Sequence, residues 1–260
     1  MDNKQQADAL NAALAEEIPE VKAPPSTSLE LLRGVFNSET NSWETNAYVR
    51  ELNGFDEEAL AALDNQNVVY SEYMSVLLKR AVVSVGSFSV KDDPTVIDNL
   101  IIGDRDLLFL KIIEATYGVN REYQVTCGSC KAMNDIVVPM NEFENRKVDH
   151  DPQTPLEATL SDGTKIRMRL PNGMDSQIVA KKAKSTAEQN TLMLARCVES
   201  PAMSNPQQWA KGLGMKDRNE LVRVLMDSQP GPEVGEVNAQ CATCGSDLNI
   251  VLDWASLLFG

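Results

Sequence analysis

The chain opens with a weak helical period. Ala9, Leu10, Ala13 and Leu14 share one stripe and predict a short helix within residues 2–17. The Pro- and Ser-rich EIPEVKAPPSTS that follows reads as a linker. Residues 1–28 are therefore expected to form a flexible acidic arm. The period then changes. Residues 29–36 and 43–52 read as extended segments around the polar SETNS, which predicts a hairpin. After Gly54 helical spacing takes over. One helix is expected from a cap at Asp56 to about Leu63, and another over 71–83, where Tyr73, Val76, Leu77 and Arg80 recur. A third is punctuated by Asp104 as N-cap, Asp106 near the dipole's positive end and Gly118 at a left-handed stop. Its apolar residues Leu107, Leu108, Leu110, Ile112 and Ile113 are expected to be buried. Residues 123–126 and 136–140 alternate as paired strands with Pro139 near an end. A second hairpin is expected from 157–160 and 165–170 around Ser161, Asp162 and Gly163. Asp175 is expected to cap one long helix to Glu199, and Asp217 with Glu220 a final helix that stops before PGP at 230–232. The pattern predicts an α+β fold, a mostly helical body with β-hairpins.

Length permits one large domain or two small ones in 260 residues. No apolar run reaches the roughly 20 residues that span a bilayer, and the N-terminus lacks the basic and apolar regions of a secretory signal. The expected setting is a reducing one, where a Cys-x-x-Cys serves metal or redox chemistry rather than a structural disulfide. The formal net charge is −14, and residues 1–70 hold four Lys/Arg against thirteen Asp/Glu. That balance argues against general affinity for nucleic acid or an anionic membrane.

The cysteines change the picture most. YQVTCGSCKAMNDIVV at 123–138 and VNAQCATCGSDLNIVL at 237–252 each carry a Cys-x-x-Cys, with an Ile six residues past the second Cys and an apolar pair after it. The two knuckles stand 114 residues apart (241 − 127). A Cys-x-x-Cys at a hairpin tip aims two thiolates at one point, and two facing tips supply a tetrahedron of four. Cys127, Cys130, Cys241 and Cys244 are thus expected to bind one structural Zn²⁺ as a split Cys₄ ribbon, since soft thiolates suit zinc. The predicted organisation is an arm at 1–28 and a single zinc-stapled domain at 29–260. Within it, 29–145 ends in the first knuckle, 146–236 is inserted, and 237–260 carries the second. Cys197, in LMLARCVES, is expected in the core, and His150, the one histidine, in a polar loop.

Catalysis finds little support in these residues. Four thiolates fill a zinc shell and leave no open position. The chain has no HExxH, GxSxG or P-loop, and a nucleophile–histidine pair would depend on His150 alone.

Three segments resemble the T-even-type bacteriophage baseplate hub and tail-assembly family: VRELNGFDEEAL at 49–60, LIIGDRDLLFLKIIEATYG at 100–118 and EYQVTCGSC at 122–130. Lys111 stands where that family often has Arg. The resemblance spans about residues 43–143 and implies a non-enzymatic structural or assembly protein of a phage tail baseplate. Its partners would be other tail and baseplate proteins, reached in part through the arm, with no small-molecule substrate and no membrane. It would lie in the virion tail, or in the host cytoplasm during assembly. Two alternatives stand beside it. One is an assembly chaperone absent from the finished virion. The other is a nucleic-acid-binding zinc-ribbon protein, for which residues 165–184 offer six Lys/Arg against one Asp but no aromatic residue for stacking.

Overall fold

The computed structural model describes residues 27–64, 68–252 and 254–259. The predicted arm lies outside them except for Thr27 and Ser28. Strand β1 (Thr27–Asn37) pairs antiparallel with β2 (Ser42–Val49), from Thr27 opposite Val49 to Asn37 opposite Ser42. The register shifts between Glu30 and Val35, where Gly34 takes φ +72° and its missing Cβ leaves room for the Glu44 carbonyl. Helices α1 (Gly54–Asp64) and α2 (Tyr70–Ala81) follow. Strands β3 (Val82–Val85) and β4 (Phe88–Ser89) then complete a sheet of order β1-β2-β3-β4. The short α3 (Thr95–Asn99) leads into α4 (Ile102–Tyr117), and β5 (Asn120–Thr126) with β6 (Met133–Pro139) forms the first knuckle hairpin.

The order then recurs. Strands β7 (Leu156–Thr159) and β8 (Lys165–Met168) make a hairpin; α5 (Gly173–Lys182) and α6 (Thr186–Cys197) follow; β9 (Val198–Ser200) joins β8. Helices α7 (Pro206–Gly212) and α8 (Met215–Asp227) lead to the second knuckle hairpin, β10 (Glu236–Gln240) with β11 (Asp247–Val251). Helix α9 (Trp254–Phe259) ends the described chain. With hairpins, small antiparallel sheets and helices, the fold is α+β.

The recurrence extends to side-chain wiring. Arg50 reaches Asp56 with both terminal nitrogens, at 2.6 and 3.0 Å, and its Nη2 also donates to the Arg80 carbonyl. Arg80 Nε closes on the same Asp56 carboxylate at 2.9 Å. Arg169, Asp175 and Arg196 repeat every one of these bonds, with Arg169 at 2.6 and 3.0 Å and Arg196 Nε at 2.6 Å. The backbone agrees: Arg50 N donates to Ala81 O, and Arg169 N to Cys197 O. A second arginine recurs as well. Arg105 donates to the Ile97 carbonyl and to Ser75 Oγ; Arg218 donates to the Ala210 carbonyl and to Thr191 Oγ1. Residues 27–140 and 156–252 thus follow one plan, and each has a core. Phe109, Leu77, Ile112 and Ile113 sit in the first; Ile166, Met168, Leu194 and Leu221 in the second. Leu257 and Leu258 of α9 fold back into the first core.

Four aspartates predicted as helix caps do other work. Asn53 caps α1, its Oδ1 accepting from the Phe55 and Asp56 N–H groups, and Asn172 caps α5 by accepting from Asp175 N. Asp56 and Asp175 sit inside the first turn and accept from those asparagines' own N–H groups at 3.0 Å. Asp104 lies inside α4 and accepts from the backbone of Leu32, Arg33 and Gly34, so it ties the helix to the bulged part of β1. Asp217 accepts from Ser161 N and Oγ at the second hairpin's turn, while Glu220 pairs with Arg223. Burial pushes the Asp106 carboxyl up to about 7 despite Arg105 beside it, which weakens its expected role at the dipole. The single helix expected from Asp175 to Glu199 is two, because the Ser185 hydroxyl accepts from Glu188 N and starts a new one. Gly118 does end α4 at positive φ (+92°), with its N–H on the Glu114 carbonyl.

Candidate metal centre

Each knuckle is a tight loop between paired strands. In the first, Cys127 N donates to Ala132 O at 2.9 Å and Lys131 N to Cys127 O at 3.0 Å, with Lys131 at φ +63°. In the second, Cys241 N donates to Ser246 O at 2.9 Å and Gly245 N to Cys241 O at 2.8 Å, with Gly245 at φ +70°. The loops therefore share one geometry, and a left-handed residue directly after the second Cys turns each chain back. Glycine takes that conformation freely in the second knuckle, whereas the first places a lysine there.

The two tips face each other. Cys127 Sγ lies 3.7 Å from Cys244 Sγ, and Cys130 Sγ lies 3.6 Å from Cys241 Sγ. The four sulfurs all fall within 4.8 Å of one another. A regular tetrahedron of sulfurs at about 2.3 Å from a central ion has edges near 3.8 Å, so the two cross-knuckle distances match it and the cluster is compatible with a metal ion. Cys127 and Cys241 are buried, and Cys130 and Cys244 lie at the surface. The Asn134 side chain clamps the knuckles together: its Oδ1 accepts from Ala242 N at 3.0 Å while its amide donates to Ala132 O at 3.1 Å. Leu248, packed with Cys127 and Cys241, and Ala132, Ile136 and Ala239 around them, form a small apolar support.

The thiols differ in acidity. The backbone N–H groups of Cys244 and Thr243 point at Cys241 and bring it down to about 6. Cys130 receives the Ala132 N–H, but the neighbouring sulfurs outweigh it and push that thiol up to about 12. A cation placed among the four would favour the loss of the protons that remain, Cys130's above all.

Cys197 lies apart in the second core. Burial, with Asp175 nearby, pushes its thiol up to about 12, which makes it inert. His150 makes a hydrogen bond to the Thr154 carbonyl at 3.0 Å and joins no ligand group among the described residues. Three of the six basic residues at 165–184 pair with acids of the same chain: Arg169 with Asp175, Lys181 with the buried Glu72, and Arg167 with Glu199 at 3.6 Å on the surface.

The sequence model described as T4 bacteriophage base plate protein matches residues 66–259. The chain belongs to that family. The match contains both knuckles and so all four clustered cysteines, and it begins after the 49–60 segment. Membership gives this base plate protein a structural or assembly role in the phage tail baseplate, among other tail and baseplate proteins. No curated protein and no solved structure matches the chain. No helix among the described residues is long and apolar enough to cross a membrane.

The four cysteines stand out in the sequence; the two arginine–aspartate clamps went unread there, although their signal is present. Arg50, Asn53, Gly54 and Asp56 recur as Arg169, Asn172, Gly173 and Asp175, 119 residues on (169 − 50).

Proposed function

We propose that this base plate protein acts through protein–protein contacts in the hub region, without catalysis, and that Cys127, Cys130, Cys241 and Cys244 hold one structural Zn²⁺. The observation that carries the metal reading is the pair of cross-knuckle sulfur distances, 3.7 and 3.6 Å, in a set of four thiols. Soft thiolates in a closed tetrahedral set favour Zn²⁺, which has no geometric demand of its own. The ion would supply a cross-link rather than a reaction, because four protein ligands leave it no open position. Elemental analysis of protein purified in reducing buffer should find about one zinc per chain. Cys197→Ser should keep it and Cys241→Ser should lose it. Zinc retained by the Cys241 variant would argue for separate sites instead.

The acidic arm at 1–28 is the proposed reach toward a neighbouring tail protein. Leu10, Leu14 and Ile18 recur at the spacing of a helix that docks in a groove. Deleting residues 2–24 should leave zinc content and melting temperature unchanged and should weaken baseplate incorporation. Assembly at the full-length level would remove the arm from the reading. Mass spectrometry of purified virions separates a resident baseplate component from an assembly chaperone that leaves. The internal pairing of the basic stretch favours a protein partner over nucleic acid.

A further inference from the structure

The two repeated halves meet at a junction that is not reciprocal. On one side stands the Asn-Gly turn and first helix of the second half. Gly173 N donates to the Leu100 carbonyl at 3.1 Å, and Asn172 bridges Ile101. Gly173 lies so close to the Arg105 guanidinium that a Cβ would collide with it. Gln177 Nε2 donates to Ser75 Oγ at 2.8 Å and to Asp98 Oδ1 at 3.0 Å, and Lys181 pairs with Glu72. On the other side stands the pocket of the first half, made by α2, α3 and the joint before α4. The fit is close enough that Ile101 belongs to the second core.

Among the described residues, the corresponding surfaces that this junction does not use are both open. Gly54, the first-half counterpart of Gly173, is exposed and a Cβ there would meet nothing. The counterparts of Asp98, Leu100 and Ile101 are Lys211, Leu213 and Gly214, matched through the shared Arg105 and Arg218 wiring. Lys211 and Gly214 are exposed, Gly214 has nothing within reach of a Cβ, and Met215 beside it is 68% exposed. Phe55, next to Gly54, is 40% exposed. The charges also change in concert. Gln177 becomes Glu58, and the Asp98 that it contacts becomes Lys211, so the unused faces carry an acid–base pair where the internal junction has an amide and a carboxylate.

We propose that these faces bind a second copy of this chain. The Asn53–Gly54 turn and α1 of one copy would dock on the α6–α7–α8 joint of the next, as the second half docks on the first within one chain. The interface is heterologous, so it propagates head to tail into a ring or a short filament rather than closing as a two-fold dimer. Continuity with the internal junction selects the occupant, and the Glu58–Lys211 pairing sets its direction. Unlike the zinc reading, this one requires no metal.

Sedimentation velocity on the purified full chain, from micromolar to near-millimolar concentration, tests it. The expected result is reversible association that grows with concentration. Glu58→Lys and Lys211→Glu should each weaken it about tenfold or more by placing like charges together. The chain carrying both changes should regain it, since the exchanged charges then face each other across the contact with opposite sign. Both positions are exposed, so unchanged melting temperature and zinc content in each variant serve as the folding control. A chain that stays monomeric throughout overturns the proposal and leaves these faces to a different protein. Association indifferent to the single reversals, or not recovered in the double variant, overturns it equally.

Discussion

Asp56 and Asp175 show what one residue can be asked to hold. Each carboxylate has no exposed surface, and each accepts from two arginines and from an asparagine backbone N–H. Burial alone would raise their pKa values; the guanidiniums and the N–H donors outweigh it and hold both carboxyls below the usual range. Removing the charge from such a set leaves two arginines without their shared carboxylate, nearly buried around Asp56 and part-buried around Asp175. Asp56→Asn and Asp175→Asn should each cost on the order of 3–5 kcal/mol in urea unfolding. Asp56→Asn should be the costlier, because the arginine side chains around Asp56 are 12% and 4% exposed and those around Asp175 are 29% and 30% exposed. The sign in acid follows from the depressed values. The unfolded chain takes up protons first, so the stabilisation is complete above about pH 4 and disappears as pH falls through the lower folded values. Stability measured against pH should drop below about pH 4 in the parent and fall less steeply in each Asn variant.

At the scale of elements, Gly54 and Gly173 occupy the same place in two copies of one turn and should respond differently. Gly173→Ala drives a methyl group into Arg105 and should cost about 1–3 kcal/mol. Gly54→Ala meets nothing and should be neutral or stabilise by up to about 1 kcal/mol through the unfolded chain. Denaturant unfolding of the two variants side by side checks both. The same contrast explains which elements could be read from sequence. The hairpins and both knuckles were legible because strand alternation and turn residues are local signals. The roles of Asp104 and Asp217 were not, since Asp104 finds its partners some seventy residues away on β1 and Asp217 its partner 56 residues away at Ser161, and local spacing cannot reveal them. The break at Ser185 was hidden by apolar residues that continue past it. The metal-site cysteines were legible because identical motifs announce one another at any separation. The Arg-x-x-Asn-Gly-x-Asp repeat offered the same kind of signal. Between the knuckles the sequence alone suggested inserted material; the wiring adds that this segment rebuilds the plan of the first half before it returns to the site.

For the whole molecule, two cores meet at a polar junction, and both knuckle hairpins, with the thiolate cluster at their tips, stand on the first core. A metal ion there would close a loop of about 110 residues, and long loops gain most from closure. Metal binding to such a site is coupled to folding. Chelation under reducing conditions should therefore lower the melting temperature of the entire transition. A loss of even about 3 kcal/mol corresponds to roughly 6–12 °C in a chain of this size. Calorimetry with and without chelator reads the shift, and an unchanged curve would confine the metal's effect to the knuckles.

The return of α9 to the first core also decides where mechanical tension would run. Arg121 holds the Leu257 carbonyl at 2.9 Å, and Leu257 and Leu258 are buried beside the residues that back β1 and β2. A pull entering through β1 and leaving through α9 therefore loads one body at both ends. With the thiolates bridged, force that does reach β10 crosses at Cys241 and Cys244 into the first knuckle. The rest of the second half, docked on the first at the Gly173 junction, lies beside that path rather than along it, so a moving baseplate would load the first body and leave α5 to α8 unstretched.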